Sequence, residues 1–204
     1  MSLLSDEELH DLVDQGVIIA PHSQVNGSSI DLTLHHIIRI EDPIGLTNKP
    51  VDLYPPNGEP RQSIATREVN LNDTNYPIQG INCGYILRQD EFVLGSTNEM
   101  FYLPAYISCK YVLKSTQARN AMDHLNAGWA DATWNNSQLT LELKNVSRFH
   151  KLILRPNMPI GQMIFFKHTP VRQENSYAVK GQYNGQQKVT ESKGLRINEE
   201  TSDA

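Results

Sequence analysis

The run EFVLGSTNEMFYLPAYISCKYVLKSTQAR, residues 91–119, decides the fold. Its pieces EFVLGST and YISCKYVL are short and rich in β-branched and aromatic residues, and the chain between them carries Asn98 and Pro104. That is the composition of two strands with a break between them. Directly after the second, Lys114, Ser115, Thr116 and Arg119 place two cations and two hydroxyls within KSTQAR. Two readings stand for that cluster: a turn into a helical segment capped by Ser115 or Thr116, or a grip on a phosphate, with hydroxyls and backbone N–H groups giving direction and Lys114 the charge.

Outward from this run the strand pattern repeats. SSIDLTLHHIIRI alternates at Ile30, Leu32 and Leu34, and YILRQ, QLTLELKNV, KLILR and QMIFFKH follow the same habit with Gly, Pro or Asn in the breaks. Ahead of them SDEELHDLVDQGVII reads as a short helix. Ser5 caps it with Glu8 three residues on, Leu9, Leu12 and Val13 share a face, and Gly16 stops it. Residues 41–85 carry Pro43, Pro50, Pro55, Pro56, Pro60 and Pro77 and are expected to form a long, mostly irregular excursion with short strands. Many short strands and little helix predict a mainly all-β fold, a sandwich, jelly roll or small barrel. The expected organisation is a single domain over residues 1–194, then a polar, disordered tail over 195–204.

A chain of 204 residues with 39% hydrophobic content buries a real core, and a net charge of −5 excludes a broad electrostatic footprint for duplex nucleic acid. A local cationic pocket for a small anion remains compatible. Two cysteines make no disulfide framework and MSLLSDEELH is no secretory leader, so a cytoplasmic location is expected. No apolar run approaches the roughly 18 residues of a membrane span.

Glu142 lies in QLTLELKN, where Leu139, Leu141 and Leu143 alternate with Thr140, Glu142 and Lys144. It belongs either to a solvated face or to a pocket wall, where a carboxyl group can take and give a proton. SYAVKGQYNGQQKVTESK, residues 176–193, is Gly- and amide-rich and suits either a flap that closes on a ligand or a flexible tail. The chain has no Walker loop, and neither the H-x-E nor the P-C-x-x-C pattern of zinc deaminases, so no zinc is expected. The seven histidines are read as surface or core residues.

In order, QVNGSSIDLTL, EFVLGSTNEMFYLPAYI, KSTQAR, NAGWAD, QLTLELKN, MPIGQMIFF and GQYNGQ are similar to the motifs of the dCTP deaminases. These are the branch of the trimeric dUTPase-like superfamily that removes ammonia from deoxycytidine triphosphate without zinc. The resemblance runs from about residue 5 to 193. It implies a distorted jelly-roll β-sandwich with a short N-terminal helix, and a homotrimer with sites between subunits. It further implies that Glu142 relays protons, that Arg119 and Ser115 fix the attacking water or the glutamate, and that the Ala127 carbonyl holds that water. Lys114, Ser115 and Thr116 would hold the triphosphate with Mg²⁺ bound through it and no metal ligand from the protein, and Asp131 would meet the deoxyribose 3′-hydroxyl. Tyr177, Lys180, Gln182 and Gln186 would complete nucleotide binding from the C-terminal motif.

The chain also departs from the family pattern. Leu113 replaces the usual glycine before the phosphate-loop lysine, and NAGWADATWNNS lacks the Pro-Gly turn after Asp131 and carries a one-residue shift on either side. Gln182 stands where lysine is usual, with Lys180 two residues earlier. The resemblance makes deamination of dCTP to dUTP and ammonia, in pyrimidine deoxynucleotide metabolism, the first reading. The alternatives are a diphosphate-releasing enzyme that forms dUMP, whether bifunctional or dUTPase-like, and a non-catalytic nucleotide-binding regulatory trimer.

Overall fold

The computed structural model describes residues 1–42, 50–53, 63–73 and 83–193. Five strands make one sheet: β1 (Ser2–Leu3), β3 (Ile30–Thr33), β9 (Ile107–Leu113), β11 (Trp129–Ala130) and β15 (Pro159–Lys167). Its centre is the β15–β9 pair, with β1 and β3 on the other edge of the long β15. A second sheet orders β10 (Met122–His124), β13 (Thr140–Asn145), β7 (Phe92–Ser96), β4 (Ile37–Glu41) and β5 (Thr66–Asn70). Smaller sheets join β12 (Asn135–Ser137), β8 (Met100–Tyr102) and β2 (Ile18–Ile19), and β14 (Leu152–Leu154) with β6 (Tyr85–Leu87). Every pairing among the described strands is antiparallel. This is the all-β architecture the sequence predicts.

One apolar cluster joins the two large sheets. Leu32 and Phe165 from the first and Leu141 and Leu143 from the second are fully buried in it. Phe101 stacks on Trp134 at 5.5 Å and meets Phe165 at 6.2 Å. Each such side chain contributes about 1.5–3 kcal/mol relative to exposure, so the alternating leucines of β13 fix which face of that strand is core and leave Thr140 and Glu142 off it.

The helix α1 (Asp6–Asp14) carries the full capping box: Ser5 Oγ accepts from the Glu8 N–H, and the Ser5 N–H donates to the Glu8 carboxylate. Leu9 and Leu12 are buried, and Gly16 ends the turn at φ +69°. SSIDLTLHHIIRI does not stay one strand. It breaks at His35, whose N–H donates to Ser96 O at 2.8 Å while its Nδ1 accepts the Ile37 N–H at 3.1 Å. A side chain that answers its own backbone replaces the ladder there.

The shift after Asp131 also has a structural form. The β12–β8 register slips between Asn135 and Ser137, a bulge that absorbs Asn136 at φ +49°, and Thr133 precedes it at φ +73°. Of the proline-rich excursion, β5 and the ends of β4 and β6 are described. The tail over residues 195–204 lies outside the described residues. No helix among the described residues is long and apolar enough to cross a membrane.

Candidate active site

A cleft of about 450 Å³ opens beside β13, and Glu142 and Thr140 form part of its wall. Trp129, Trp134, Tyr177 and Tyr183 line it with Ala127. The Glu142 side chain is 25% exposed and reaches His124, with Oε2 and Nε2 3.2 Å apart. Neither of these two buried atoms has a hydrogen-bond partner among the described residues. The pocket-wall reading of Glu142 is therefore the one the fold adopts. By sequence His124, like His35 and His36, lies near a motif but reads as a surface or core residue; the β10–β13 pairing brings it beside Glu142.

Tyr111 packs against His124 with ring centroids 4.6 Å apart. Burial, and after it the Glu142 charge, push its phenol well above the ordinary range. Two glycines make room for it. A Cβ on Gly161 would come 2.1 Å from the Tyr111 ring, and one on Gly128 would come 2.9 Å from its carbonyl oxygen. The glycines of IGQMIFF and NAGW thus serve one tyrosine that backs the cleft.

The C-terminal segment is seated on the cleft. Gln186 Nε2 donates to Gln138 O at 2.9 Å and Thr140 Oγ1 at 2.6 Å, and Tyr183 O accepts from Trp134 Nε1 at 3.1 Å. Arg39 Nη2 donates to Glu191 Oε1 at 2.7 Å, and the Thr66 hydroxyl donates to the same oxygen. That hydroxyl, with Arg39, holds the Glu191 carboxyl below its usual range. Tyr177 and Gln186 line the cleft. Burial raises the Tyr177 phenol. Lys180 and Gln182 are not among the lining residues: Lys180 Nζ donates to Asn175 Oδ1 at 2.5 Å, and Gln182 O accepts from Lys193 Nζ at 2.8 Å.

The KSTQAR cluster lies elsewhere. Ser115–Ala118 form one helical turn, α2, whose cap position is Lys114; neither Ser115 nor Thr116 caps it. Ser115, Thr116 and Arg119 are exposed, and none of the four polar side chains lines the cleft. Lys114 is paired with Asp31 of β3. The same carboxylate accepts from Asn26 Nδ2 at 2.9 Å and from Gln162 Nε2 of β15 at 3.1 Å. Burial alone would raise the Asp31 carboxyl, yet Lys114, Asn26 and Gln162 together hold it below its usual value. Strand register explains the meeting, since Gln162 pairs with Asp31 on one side and Val112 on the other. Asp31 and Gln162 sit inside QVNGSSIDLTL and IGQMIFF, but no sequence spacing announces that they converge on Lys114.

Asp131 is exposed and is not among the lining residues, though its neighbours Trp129 and Ala130 are; its Oδ1 accepts from Trp129 Nε1 at 2.8 Å. One chain therefore presents two separate halves: an apolar cleft with a carboxyl and a histidine, and an exposed corner of cations and hydroxyls.

Comparison with known proteins identifies the family. A family model described as dCTP deaminase-like matches residues 3–168. A Corynebacterium diphtheriae protein named "dCTP deaminase, dUMP-forming" is 30% identical over 197 residues, covering 94% of this chain and 96% of its own. A protein of the same name from Corynebacterium kroppenstedtii is 32% identical over 197 residues with the same coverage. Among solved structures, the 2′-deoxycytidine 5′-triphosphate deaminase of Agrobacterium tumefaciens superposes with a TM-score of 0.56 at 19% identity, over 79% of this chain and 47% of that one. That likeness concerns the fold. Family model, relatives and β-sandwich coincide, and the chain belongs to the dCTP deaminase-like family.

Proposed function

We propose that the protein deaminates dCTP with water and then releases diphosphate, so that dCTP and two waters give dUMP, ammonia and diphosphate. The observation that carries the reading is Glu142: a partly exposed carboxyl in an aromatic cleft beside Ala127, with one buried oxygen free of hydrogen bonds. Attack of water at C4 needs a base for the water, a proton at N3 and a proton for the departing amine. One carboxyl able to receive and return a proton can serve all three. The sequence resemblance puts dUTP first as product; the names of the relatives move the weight to dUMP.

The triphosphate belongs to the corner of Lys114, Ser115, Thr116 and Arg119, as contributed by a neighbouring copy. Support comes from their exposure and their separation from the cleft within one chain. A homotrimer with shared sites joins the halves. Mg²⁺ would come with the nucleotide and would offset the charge of the triphosphate. The corner fits that arrangement: Asp31 is its acidic group and is already engaged by Lys114, Asn26 and Gln162, so no protein ligand is assigned. Ser115 and Arg119 then orient the water and Glu142 from across the interface, and Asp131 meets the sugar 3′-hydroxyl.

Incubation with dCTP and Mg²⁺, following ammonia, diphosphate and nucleotides together, tests the reading. Ammonia with diphosphate and dUMP is expected. Ammonia with dUTP alone would restore the simple deaminase, and dCTP binding without product would leave the regulatory trimer.

A further inference from the structure

The β11–β9 ladder stops at Ala130, which pairs with Cys109. The next N–H to reach β9 is that of Ala132, and it donates to a side chain, Ser108 Oγ, at 3.2 Å. Ser108 is 6% exposed, and its hydroxyl also lies 2.9 Å from His168 Nε2. His168 Nδ1 lies 2.8 Å from Thr169 O. A carbonyl oxygen only accepts, so Nδ1 carries the proton and Nε2 offers its lone pair. The Ser108 hydroxyl can then accept from Ala132 and donate to His168, and the three bonds run in one direction from the turn to the strand end.

The turn they hold needs holding. Thr133 sits at φ +73°, where a β-branched residue is a genuine outlier, and such a conformation persists only where its surroundings over-determine it. The Trp134 N–H closes the turn on Asp131 O at 3.1 Å, the Tyr177 N–H reaches Ala132 O at 3.3 Å, and the Ala178 N–H reaches Thr133 Oγ1 at 2.9 Å. The last two come from the C-terminal segment; from the core side the turn is held by Ser108 at Ala132 and by the Leu103 N–H, which donates to Trp134 O at 3.1 Å.

We infer that Ser108 and His168 are positioning residues for the Asp131 turn, setting its backbone so that Asp131 meets the sugar of the bound nucleotide. The inference rests on the proposed role of Asp131. It assigns to two residues outside the cleft a part in choosing a 3′-hydroxylated sugar.

The test compares dCTP with 2′,3′-dideoxy-CTP in the full-length protein, reading KM and kcat for wild type, Ser108→Ala, His168→Ala, His168→Gln and Asp131→Ala. Ser108→Ala and His168→Ala are expected to raise KM for dCTP roughly tenfold, the effect of one ordinary hydrogen bond lost, and chiefly through KM rather than kcat. The preference for dCTP over the dideoxy nucleotide should shrink by the same factor. His168→Gln, whose amide oxygen can take the Ser108 proton, should recover most of it. Because His168 is partly exposed, its variants keep the test open if Ser108→Ala fails to fold. A wild-type sugar preference in both His168 variants, with that preference lost in Asp131→Ala, overturns the inference alone. An unchanged preference in Asp131→Ala overturns the role of Asp131 and the inference with it.

Discussion

His124 Nε2 and Glu142 Oε2 face each other 3.2 Å apart on adjacent strands, both buried and, among the described residues, neither otherwise hydrogen-bonded. The proton relay proposed for Glu142 would have His124 inside the wall and substrate on the other side. Glu142→Gln keeps the shape and removes the relay, so dCTP binding should persist while kcat falls by about 10²–10⁴. His124→Ala should lower kcat by roughly tenfold or more and leave dCTP affinity near wild type. A kcat within twofold of wild type in either variant would remove that residue from the proton path.

Shared sites predict complementation. Arg119→Ala and Glu142→Gln should each be nearly inactive alone. Co-expressed in equal amounts, they would form mixed trimers in which about a quarter of the sites hold both intact halves. Recovered activity of that order supports the arrangement. A monomer in solution, or no recovery from demonstrably mixed trimers, counts against it.

Lys114 is paired with Asp31, and the proposed function gives it the phosphates of the bound nucleotide. Lys114→Ala should therefore weaken dCTP binding by about tenfold, since charge-assisted bonds to phosphate are strong. Asp31 supplies a pH signature. Its folded pKa lies below the ordinary value of 3.8, so its contribution to stability is fully present above that value and is lost as pH falls through the folded one. The thermal midpoint of Asp31→Asn should lie below wild type at pH 7, and the gap should close in acid. A gap independent of pH would mean that folding does not favour the carboxylate.

Gly161 tests the support behind the cleft. Its missing side chain leaves room for the Tyr111 ring, which packs on His124. Gly161→Ala should cost about 1–3 kcal/mol in denaturant unfolding, the usual penalty for overpacking, and should lower kcat. Adding Tyr111→Leu should restore much of the stability, because the two positions share one space. Simple additivity would show that the backbone moves instead.

Much of the fold is legible in the sequence because strand alternation and capping are local. Leu139, Leu141 and Leu143 show one face of β13 without any partner in view, and Ser5 with Glu8 states where α1 begins. His35 was not legible as a break: its ring answers a backbone N–H two residues on, which no periodicity displays. Glu142 was legible as a candidate through its place among ordered motifs, whereas its choice between solvent and pocket depended on what β10 and the C-terminal segment bring beside it. The bulge at Asn135 and Ser137 shows as a shift in the sequence and acquires a position only in the β12–β8 register.

By itself, the sequence determined the all-β class, the strand faces, the capped helix and the residues able to do acid–base and phosphate chemistry, because each depends on neighbours along the chain. The tertiary structure decided which of them meet. Antiparallel register put Asp31 and Gln162 on Lys114, His124 beside Glu142 and Ser108 under Ala132, pairs separated by many residues whose encounter is fixed by strand order. It also kept KSTQAR out of the Glu142 cleft, because the β9 strand delivers that cluster to an exposed turn, where a second copy of the chain can reach it.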